Sequence, residues 1–430
     1  MIKAVRGTRD ILPPSSAVWN HVEAVAREVF RVYNYAEIRT PIFEETALFS
    51  RGVGQETDIV GKEMYTFDDH GDSLTLRPEA TASVMRAYIE HRLDQIPGVK
   101  KLYYIGPMFR RERPQKGRYR QFFQIGAEAI GSESPIVDAE VIEMVVEILR
   151  RAGMAPAAQE KEGFHLILNS VGDPECRPAF MALLREKLKE IVPRLCPDCQ
   201  RRSVTNPLRV LDCKVHEDQP HIETLPSILD HLCSNCSTHF AAVRAHLDSR
   251  GIPYEVRPRL VRGLDYYMRT TFEITHGALG AQNSVLGGGR YDGLAESIGS
   301  KVHAPGIGFS IGEDRMVMSI EDAHPDRHKT AVDVFLAPLG EAAESHAGAL
   351  AADLRAHGIS VERSVDRKLK RSLEVAAKTG ARFALILGDD EIAAGTYQLK
   401  NLATGEQQAV KREALRQLIL AVPCPPSPVP

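Results

Sequence analysis

The sequence predicts an α+β protein: an antiparallel sheet flanked by helices, broken by a helical insertion and followed by a smaller α/β domain. Three observations predict this. In the first part of the chain, paired strand-like runs are broken by helical ones, the pattern of an antiparallel α+β sheet. Residues 172–250 hold two helical stretches around a loop-rich, cysteine-bearing middle. From about residue 330, strand and helix alternate, as in a small domain with a largely parallel sheet. At 430 residues the chain has room for two or three domains of ~100–200 residues each.

Taken in order, residues 15–33 place Val18, Val22, Val25, Ala26 and Val29 at helical spacing. "NYAEIRTPIFEETALF" follows as an extended segment. Its Pro41 cannot donate to a strand ladder, so this piece is expected at an edge or an interface. Strands are predicted at 74–77, 101–110, 121–130, 165–169, 270–275 and 284–287, and long helices at 79–93 and 138–152. In the insertion, "PAFMALLREKLKEIV" and "LPSILDHLCSNCSTHFAAVRAHLDSRG" read as helical. Beyond 330, "VDVFLAPL", "ISVERSV" and "RFALILG" are strands that alternate with two helices. The expected boundaries are 1–325 for the first domain and 330–422 for the second. A proline-rich tail at 423–430 is expected to be disordered.

Bulk properties exclude several classes. A net charge of −3 is incompatible with a uniformly basic nucleic-acid coat, so any polyanion must meet a local patch. The N-terminus carries no apolar signal core, and no uncharged apolar run reaches the ~18 residues a bilayer span requires. Seven cysteines, an odd number in a chain this long, do not make a secreted disulfide scaffold. A reducing cytoplasm is the expected compartment.

The local patch is "FRRERPQKGRYRQFFQIGAEAIG", residues 109–131. With period-two alternation, Phe122, Gln124, Gly126 and Glu128 share one strand face, while Gln121, Phe123, Ile125 and Ala127 share the other. The second set can face a core. The first is a binding surface: an aromatic plate, an amide, a gap and a carboxylate. A nucleoside triphosphate needs this layout. Arg110 can fork onto a phosphate, Phe122 can stack on a base, and Glu112 can accept from an exocyclic amine. The plainer alternative is a solvated basic loop, disfavoured because aromatic and acidic residues fall in phase with the arginines.

"FRRERP", a loop and "FFQIGAE" resemble motif 2 of the class II aminoacyl-tRNA synthetases, and the wider string resembles the histidyl-tRNA synthetase family. The resemblance runs from "VRGTRDILP" to the last strand and helix. It implies the class II fold with a C-terminal anticodon-binding domain, and activation of L-histidine by ATP with Mg²⁺, followed by transfer to tRNA(His). It further implies a homodimer built through the Pro41 segment, which matches motif 1.

Residue by residue, "LTLRPEATAS" implies that the Glu79-Ala80-Thr81 segment holds histidine, with Glu79, Thr81 and Gln124 on its α-ammonium. Without the resemblance, Glu79 is an acidic residue at a helix start. "LVRGLDYYMRTTFE" implies Arg262 at the α-phosphate and Tyr266 and Tyr267 in the amino-acid pocket. Read alone, it offers an Arg262–Asp265 surface pair. Adjacent tyrosines on a strand face opposite ways, so only Tyr267 is expected at the ligand unless the backbone turns there. "LGGGRYDGL" implies a pocket wall beside Tyr291, where glycines allow close approach; a plain turn is the alternative. "PGIGFSIGEDRM" resembles motif 3 and implies Arg315 on the ATP tail, with Glu313 pointing away. Arg110 and Arg262 are thus the expected catalytic charges. Glu128 is the expected imidazole partner, and Glu112, Arg118, Phe122 and Arg315 complete the ATP site.

Cys196-x-x-Cys199 and Cys233-x-x-Cys236 form two knuckles that together could supply zinc's four soft ligands, with Cys213 between them. Their separation exceeds the usual ribbon spacing, so free thiols are favoured and no metal is assigned. A non-catalytic regulatory subunit of ATP phosphoribosyltransferase is the nearest rival. Such paralogues lose the C-terminal domain and the arginine motifs, both of which this chain keeps. Another amino-acid specificity, or a purely nucleic-acid-binding module, is disfavoured by Glu128 and the carboxylates beside the arginines.

Overall fold

A computed structural model describes residues 2–55, 57–157, 163–277, 279, 283–323, 332–366 and 368–421. The chain divides into two compact units, one of Met1–Ile11 and Val18–His324, the other of Leu12–Ala17 and Pro325–Pro430. The predicted tail at 423–430 lies outside the described residues.

The first unit contains β1 (Ala36–Glu37), β2 (Phe43–Glu45), β3 (Tyr65–Asp69), β4 (Asp72–Leu76), β5 (Lys100–Phe109), β6 (Gln121–Ile130), β7 (Phe164–Ser170), β8 (Glu255–Val256), β9 (Met268–His276), β10 (Ser284–Arg290) and β11 (Gly306–Gly312). Eight of these form one sheet in the order β1-β5-β6-β11-β10-β9-β7-β8. Its six inner strands pair antiparallel, and only the two-residue edge strands β1 and β8 pair parallel. The remaining three make a small sheet, β2-β4-β3. Pro41 lies between the edge strand β1 and β2, as its missing N–H requires. Arg77 holds the segment there, donating to the carbonyls of Thr40 (3.0 Å) and Pro107 (3.0 Å).

Period-two alternation sorts the sheet into two faces. Ile125, Ala127 and Ala129 of β6, with Ile307, Phe309 and Ile311 of β11, enter a core shared with the helices Ser15–Val32, Pro135–Arg151 and Glu313–Ala323. That helix face of Ser15–Val32 buries Val18, Val22, Val25, Ala26 and Val29, the residues the sequence spacing singles out. The opposite face carries Tyr104, Met108, Tyr266, Tyr267 and Tyr291 against the insertion.

The insertion has helices Arg177–Ile191 and Ser234–Ser249 near the predicted positions, and two further ones, Pro197–Thr205 and the single turn Gln219–Ile222, within the stretch predicted to be loop. Arginine and serine are ordinary on a solvated helix, but a nine-residue helix with one buried side chain leaves no apolar stripe to read. The two knuckles do not meet. Cys196 and Cys199 gather with Cys213 and Asp218, while Cys233 and Cys236 gather with Asp173 and Cys176. The four-cysteine set considered from the sequence is therefore corrected to two separate groups. The physical reason is that each CxxC opens its own helix and finds its partners in a different loop.

The second unit holds β12 (Val334–Leu339), β13 (Val361–Arg363), β14 (Phe383–Gly388), β15 (Thr396–Asn401) and β16 (Gln407–Lys411), ordered β13-β12-β14-β15-β16. β12 pairs parallel with β13 and β14, while β15 and β16 add an antiparallel hairpin. The sheet is thus mixed rather than largely parallel. The hairpin's strands are polar and half-exposed, so no apolar run announces them.

Candidate active site

A cavity of about 660 Å³ opens on the sheet face opposite the helical core, within the usual range for a small-molecule site. It is lined, among others, by Glu79, Thr81, Arg110, Glu112, Arg118, Phe122, Gln124, Arg262, Tyr266, Tyr267 and Arg315. Motif residues spread over more than 230 positions of sequence therefore meet at one place.

The β5–β6 hairpin delivers the first group. The ladder continues past β5 through the Arg110 N–H, which donates to the Arg120 carbonyl at 2.9 Å. Arg110 Nε donates to the Pro78 carbonyl (2.9 Å), and its guanidinium stands 5.2 Å from the Phe122 ring centroid. Arg118 pairs with Glu112 at 2.8 Å. The N-terminal segment braces this loop. Gly7 (φ +92°) accepts from the Arg120 N–H at 2.7 Å, and a Cβ at Gly7 would lie 2.8 Å from the Arg120 side chain. Arg9 stacks on Tyr119 (4.3 Å) and pairs with Asp314 (2.8 Å), whose other oxygen accepts from the Phe123 N–H. Asp314 thereby ties the motif 3 helix to β6.

The second group sits at the start of helix Thr81–Glu90. Both Glu79 oxygens are used locally, accepting from the N–H groups of Thr81 (2.8 Å) and Ala82 (3.0 Å), and burial raises its pKa. A carboxylate on two free N–H groups at a helix N-terminus is favourably placed. The helix-start reading of Glu79 is thus what the geometry displays, with its edge on the cavity. Gln124 is different. Its Oε1 is buried with no hydrogen-bond partner among the described residues, an acceptor left open at the cavity wall.

Glu128, Tyr291 and Ala80 lie behind the lining rather than on it. Glu128 is 1 % exposed; Oε1 accepts from the Thr81 hydroxyl (2.7 Å) and Oε2 from the Tyr291 hydroxyl (2.5 Å). Burial pushes its carboxyl up to about 8, against the lowering effect of the hydroxyls that donate to it. Gly308 leaves room for it, since a Cβ there would fall 1.7 Å from Glu128 Oε2.

Arg262 pairs with Glu273 of β9, not with Asp265, whose carboxylate instead accepts from Asn206. Glu273 lines the cavity and escaped the sequence reading; its alternation with buried Phe272 and Ile274 on β9 was the available signal. Tyr266 and Tyr267 both line the cavity. They precede β9 in a turn, so strand alternation does not separate them. The glycine triplet is neither a turn nor simply a close ligand wall. It is part of strand β10, and each glycine clears space for a neighbour: Gly287 for Arg262, Gly288 for Phe272, Gly289 for Tyr267. Arg315 donates to the Gly117 carbonyl (3.1 Å) and the Ser284 carbonyl (2.6 Å), poised between motif 2 and β10. Glu313 is fully buried away from the cavity, and burial pushes its carboxyl to about 9.

An arginine-rich cavity, with six arginines in its lining among the described residues, resting on a six-stranded antiparallel core with a helical insertion, is the arrangement of the class II aminoacyl-tRNA synthetase fold. Comparison with known proteins narrows it. The histidyl-tRNA synthetase family model matches residues 7–316, and an anticodon-binding domain model matches 333–421. The histidine–tRNA ligase of Solibacter usitatus is 70% identical over 96% of this chain and 98% of its own; that of Koribacter versatilis is 57% identical over 96% and 95%. The crystal structure of apo S. aureus histidyl-tRNA synthetase superposes with a TM-score of 0.78 at 39% identity, covering 97% of this chain and all of that one. The chain belongs to the histidyl-tRNA synthetase family. A structure titled as an ATP phosphoribosyltransferase regulatory subunit/histidyl-tRNA synthetase, from Bacillus halodurans, shares the fold at 21% identity and TM-score 0.64.

Proposed function

We propose that the chain is a histidine–tRNA ligase, which joins L-histidine to ATP and then passes the aminoacyl group to tRNA(His). The observation that carries this is the convergence of Arg110, Arg262, Arg118 and Arg315 with the open acceptor of Gln124 in one cavity. The histidine carboxylate attacks the α-phosphorus in line; the bond to the β-phosphate breaks and pyrophosphate leaves. Arg110 and Arg262 neutralise the α-phosphate oxygens, and Arg118 and Arg315 hold the tail. The 3′-terminal ribose hydroxyl of the tRNA then attacks the acyl carbon and AMP departs. Positive charge and positioning suffice, with no covalent protein intermediate.

Arg110 covers Phe122 and Glu112 is engaged by Arg118. Adenine stacks on Phe122 by displacing the Arg110 guanidinium, which swings onto phosphate. Mg²⁺ on the pyrophosphate portion would find a hard oxygen donor in Glu273 and would supply charge neutralisation on the leaving group, while Glu112 is kept for the exocyclic amine of adenine.

For the amino acid, the ammonium meets Gln124 Oε1, the Thr81 hydroxyl oxygen and the edge of Glu79. Glu128 remains the proposed imidazole partner, with Tyr266 and Tyr267 above it and Tyr291 behind. Its carboxyl is reached when histidine displaces the Thr81 or Tyr291 hydroxyl that now occupies it. A pocket that hydrogen-bonds its substrate in this way can reject analogues lacking the group by ~10⁴–10⁵.

Residues 1–325 form the proposed catalytic part and 330–422 the anticodon-binding part. There Lys368, Lys370 and Arg371 are exposed on or beside helix Leu369–Lys378, available to phosphate, while Arg367 lies outside the described residues. Dimerisation is proposed through the Pro41 segment, where Ile42 (45%), Phe43 (53%) and Phe67 (44%) are exposed together. No described helix is long and apolar enough to cross a membrane, and the cytoplasm is the proposed compartment. Histidine-dependent exchange of labelled pyrophosphate into ATP, measured on purified protein without tRNA, tests the reading. Exchange driven by histidine alone supports it; no exchange, or exchange with another amino acid, overturns it.

A further inference from the structure

We infer that the insertion binds two zinc ions, each held by three cysteines and one aspartate: Asp173, Cys176, Cys233 and Cys236 at one site, and Cys196, Cys199, Cys213 and Asp218 at the other. In each group one ligand atom from every residue lies within 4.8 Å of all the others. All six described cysteines belong to these groups, and all are free thiols.

The spacings are those of a tetrahedron. A Zn–S bond of about 2.3 Å implies a sulfur–sulfur edge of about 3.8 Å, and a carboxylate oxygen shortens its edges slightly. At the first site Cys176 Sγ and Cys236 Sγ are 3.9 Å apart, and Asp173 Oδ1 is 3.7 Å from Cys176 Sγ and 3.8 Å from Cys233 Sγ. At the second, Cys196 Sγ and Cys213 Sγ are 3.9 Å apart, and Asp218 Oδ2 is 3.2 Å from Cys213 Sγ. Thiols packed only as small hydrophobes have no reason to converge on such a polyhedron twice.

The surroundings orient the donors. The Asp173 N–H donates to Cys176 Sγ (3.4 Å), the Cys236 N–H to Cys233 Sγ (3.5 Å) and the Val215 N–H to Cys213 Sγ (3.4 Å). Backbone N–H groups aimed at sulfur hold each donor in place, as outer partners orient metal ligands. Each CxxC also straddles a helix start: Cys196 and Cys233 immediately precede Pro197–Thr205 and Ser234–Ser249, with Cys199 and Cys236 in the first turns. Asp173 divides its carboxylate, Oδ2 facing Arg269 (3.4 Å) and Oδ1 the sulfurs. Sulfur-rich tetrahedral donors select zinc over the harder cations.

The placement gives the metals a job. Cys196 and Cys213 line the active-site cavity, so the second site fixes part of its wall. The first begins helix Arg177–Ile191, whose Arg177 donates to the Tyr267 carbonyl at 2.6 Å, within the amino-acid pocket. Zinc would staple the insertion to the site it covers.

The test is metal analysis of the full-length protein, independent of aminoacylation. Protein purified with zinc present and then desalted should retain about two zinc ions per chain. Cys199→Ser and Cys236→Ser should each lower the count to about one, and the double variant to about zero. A metal-free wild type, iron in place of zinc, or a count that neither variant changes overturns the proposal. A count of one that only one variant abolishes overturns the site the other variant addresses. Should the variants not fold, cobalt(II) substitution of the wild type decides: sulfur-to-cobalt charge transfer with tetrahedral d–d bands is expected, and their absence overturns it.

Discussion

Gly287→Ala tests the catalytic geometry without removing any charge. An ideal Cβ at Gly287 would lie 1.8 Å from Arg262 Nη2 and 2.1 Å from Cζ, and the nearest atoms are all guanidinium. The backbone of β10 need not move, because the clashing group is the far end of a flexible side chain. The guanidinium must instead retreat by roughly 1.5 Å to reach ordinary contact distance. Misplacement by about 1 Å can cost ~10²-fold in rate, and losing a preorganised charge outright costs ~10²–10³. Gly287→Ala should therefore lower histidine-dependent pyrophosphate exchange by about 10² while leaving thermal unfolding nearly unchanged. Arg262→Ala should lose ~10²–10³, and the double variant should be no worse than Arg262→Ala, since both act through one group. Gly293→Ala is the control, its nearest neighbour being Met268 Cε at 3.4 Å. Near-normal exchange in folded Gly287→Ala, or additive losses in the double variant, would refute the role given to Arg262.

Glu128→Gln should raise the histidine KM far more than the ATP KM in steady-state exchange; equal effects would remove Glu128 from the amino-acid site. Glu313→Gln should raise the melting temperature at pH 8 with a benefit that shrinks towards pH 5. The folded carboxyl titrates near 9 and an unfolded one near ~4.3, so the folded state holds the extra proton between them and loses stability as pH rises through that window. A benefit constant across pH 5–8 would contradict this. Phe43→Glu should shift the protein from dimer to monomer in light scattering, and an unchanged mass would move the interface elsewhere.

Much of the site was legible because β-strands impose a strict period. The alternation through 121–128 put Phe122 and Gln124 on the cavity and Ile125 and Ala127 in the core, as the structure places them. Tyr266 depended on the condition attached to that rule, that the backbone turn there; it does, and Tyr266 comes onto the cavity beside Tyr267. Long-range pairings were invisible for a different reason. Nothing in the spacing of Arg262 selects Glu273 over Asp265, and nothing near the CxxC pairs points to Asp173 or Asp218, because tertiary contacts alone bring them together. The glycines of β10 read as room for a ligand, yet the room is used first by Arg262, Phe272 and Tyr267. Glu128 read as a surface carboxylate of the pocket; its depth follows from Gly308 on the neighbouring strand, a residue whose meaning depends on register.

One cavity brings guanidinium charge and a carboxyl floor to bear on a single mixed anhydride. A crystal structure with a non-hydrolysable histidyl-adenylate analogue tests it most directly. The bridging group should sit between Arg110 and Arg262, with the imidazole against Glu128 and the adenine on Phe122. An analogue bound with its bridging group away from both arginines, or its imidazole turned from Glu128, would contradict the account.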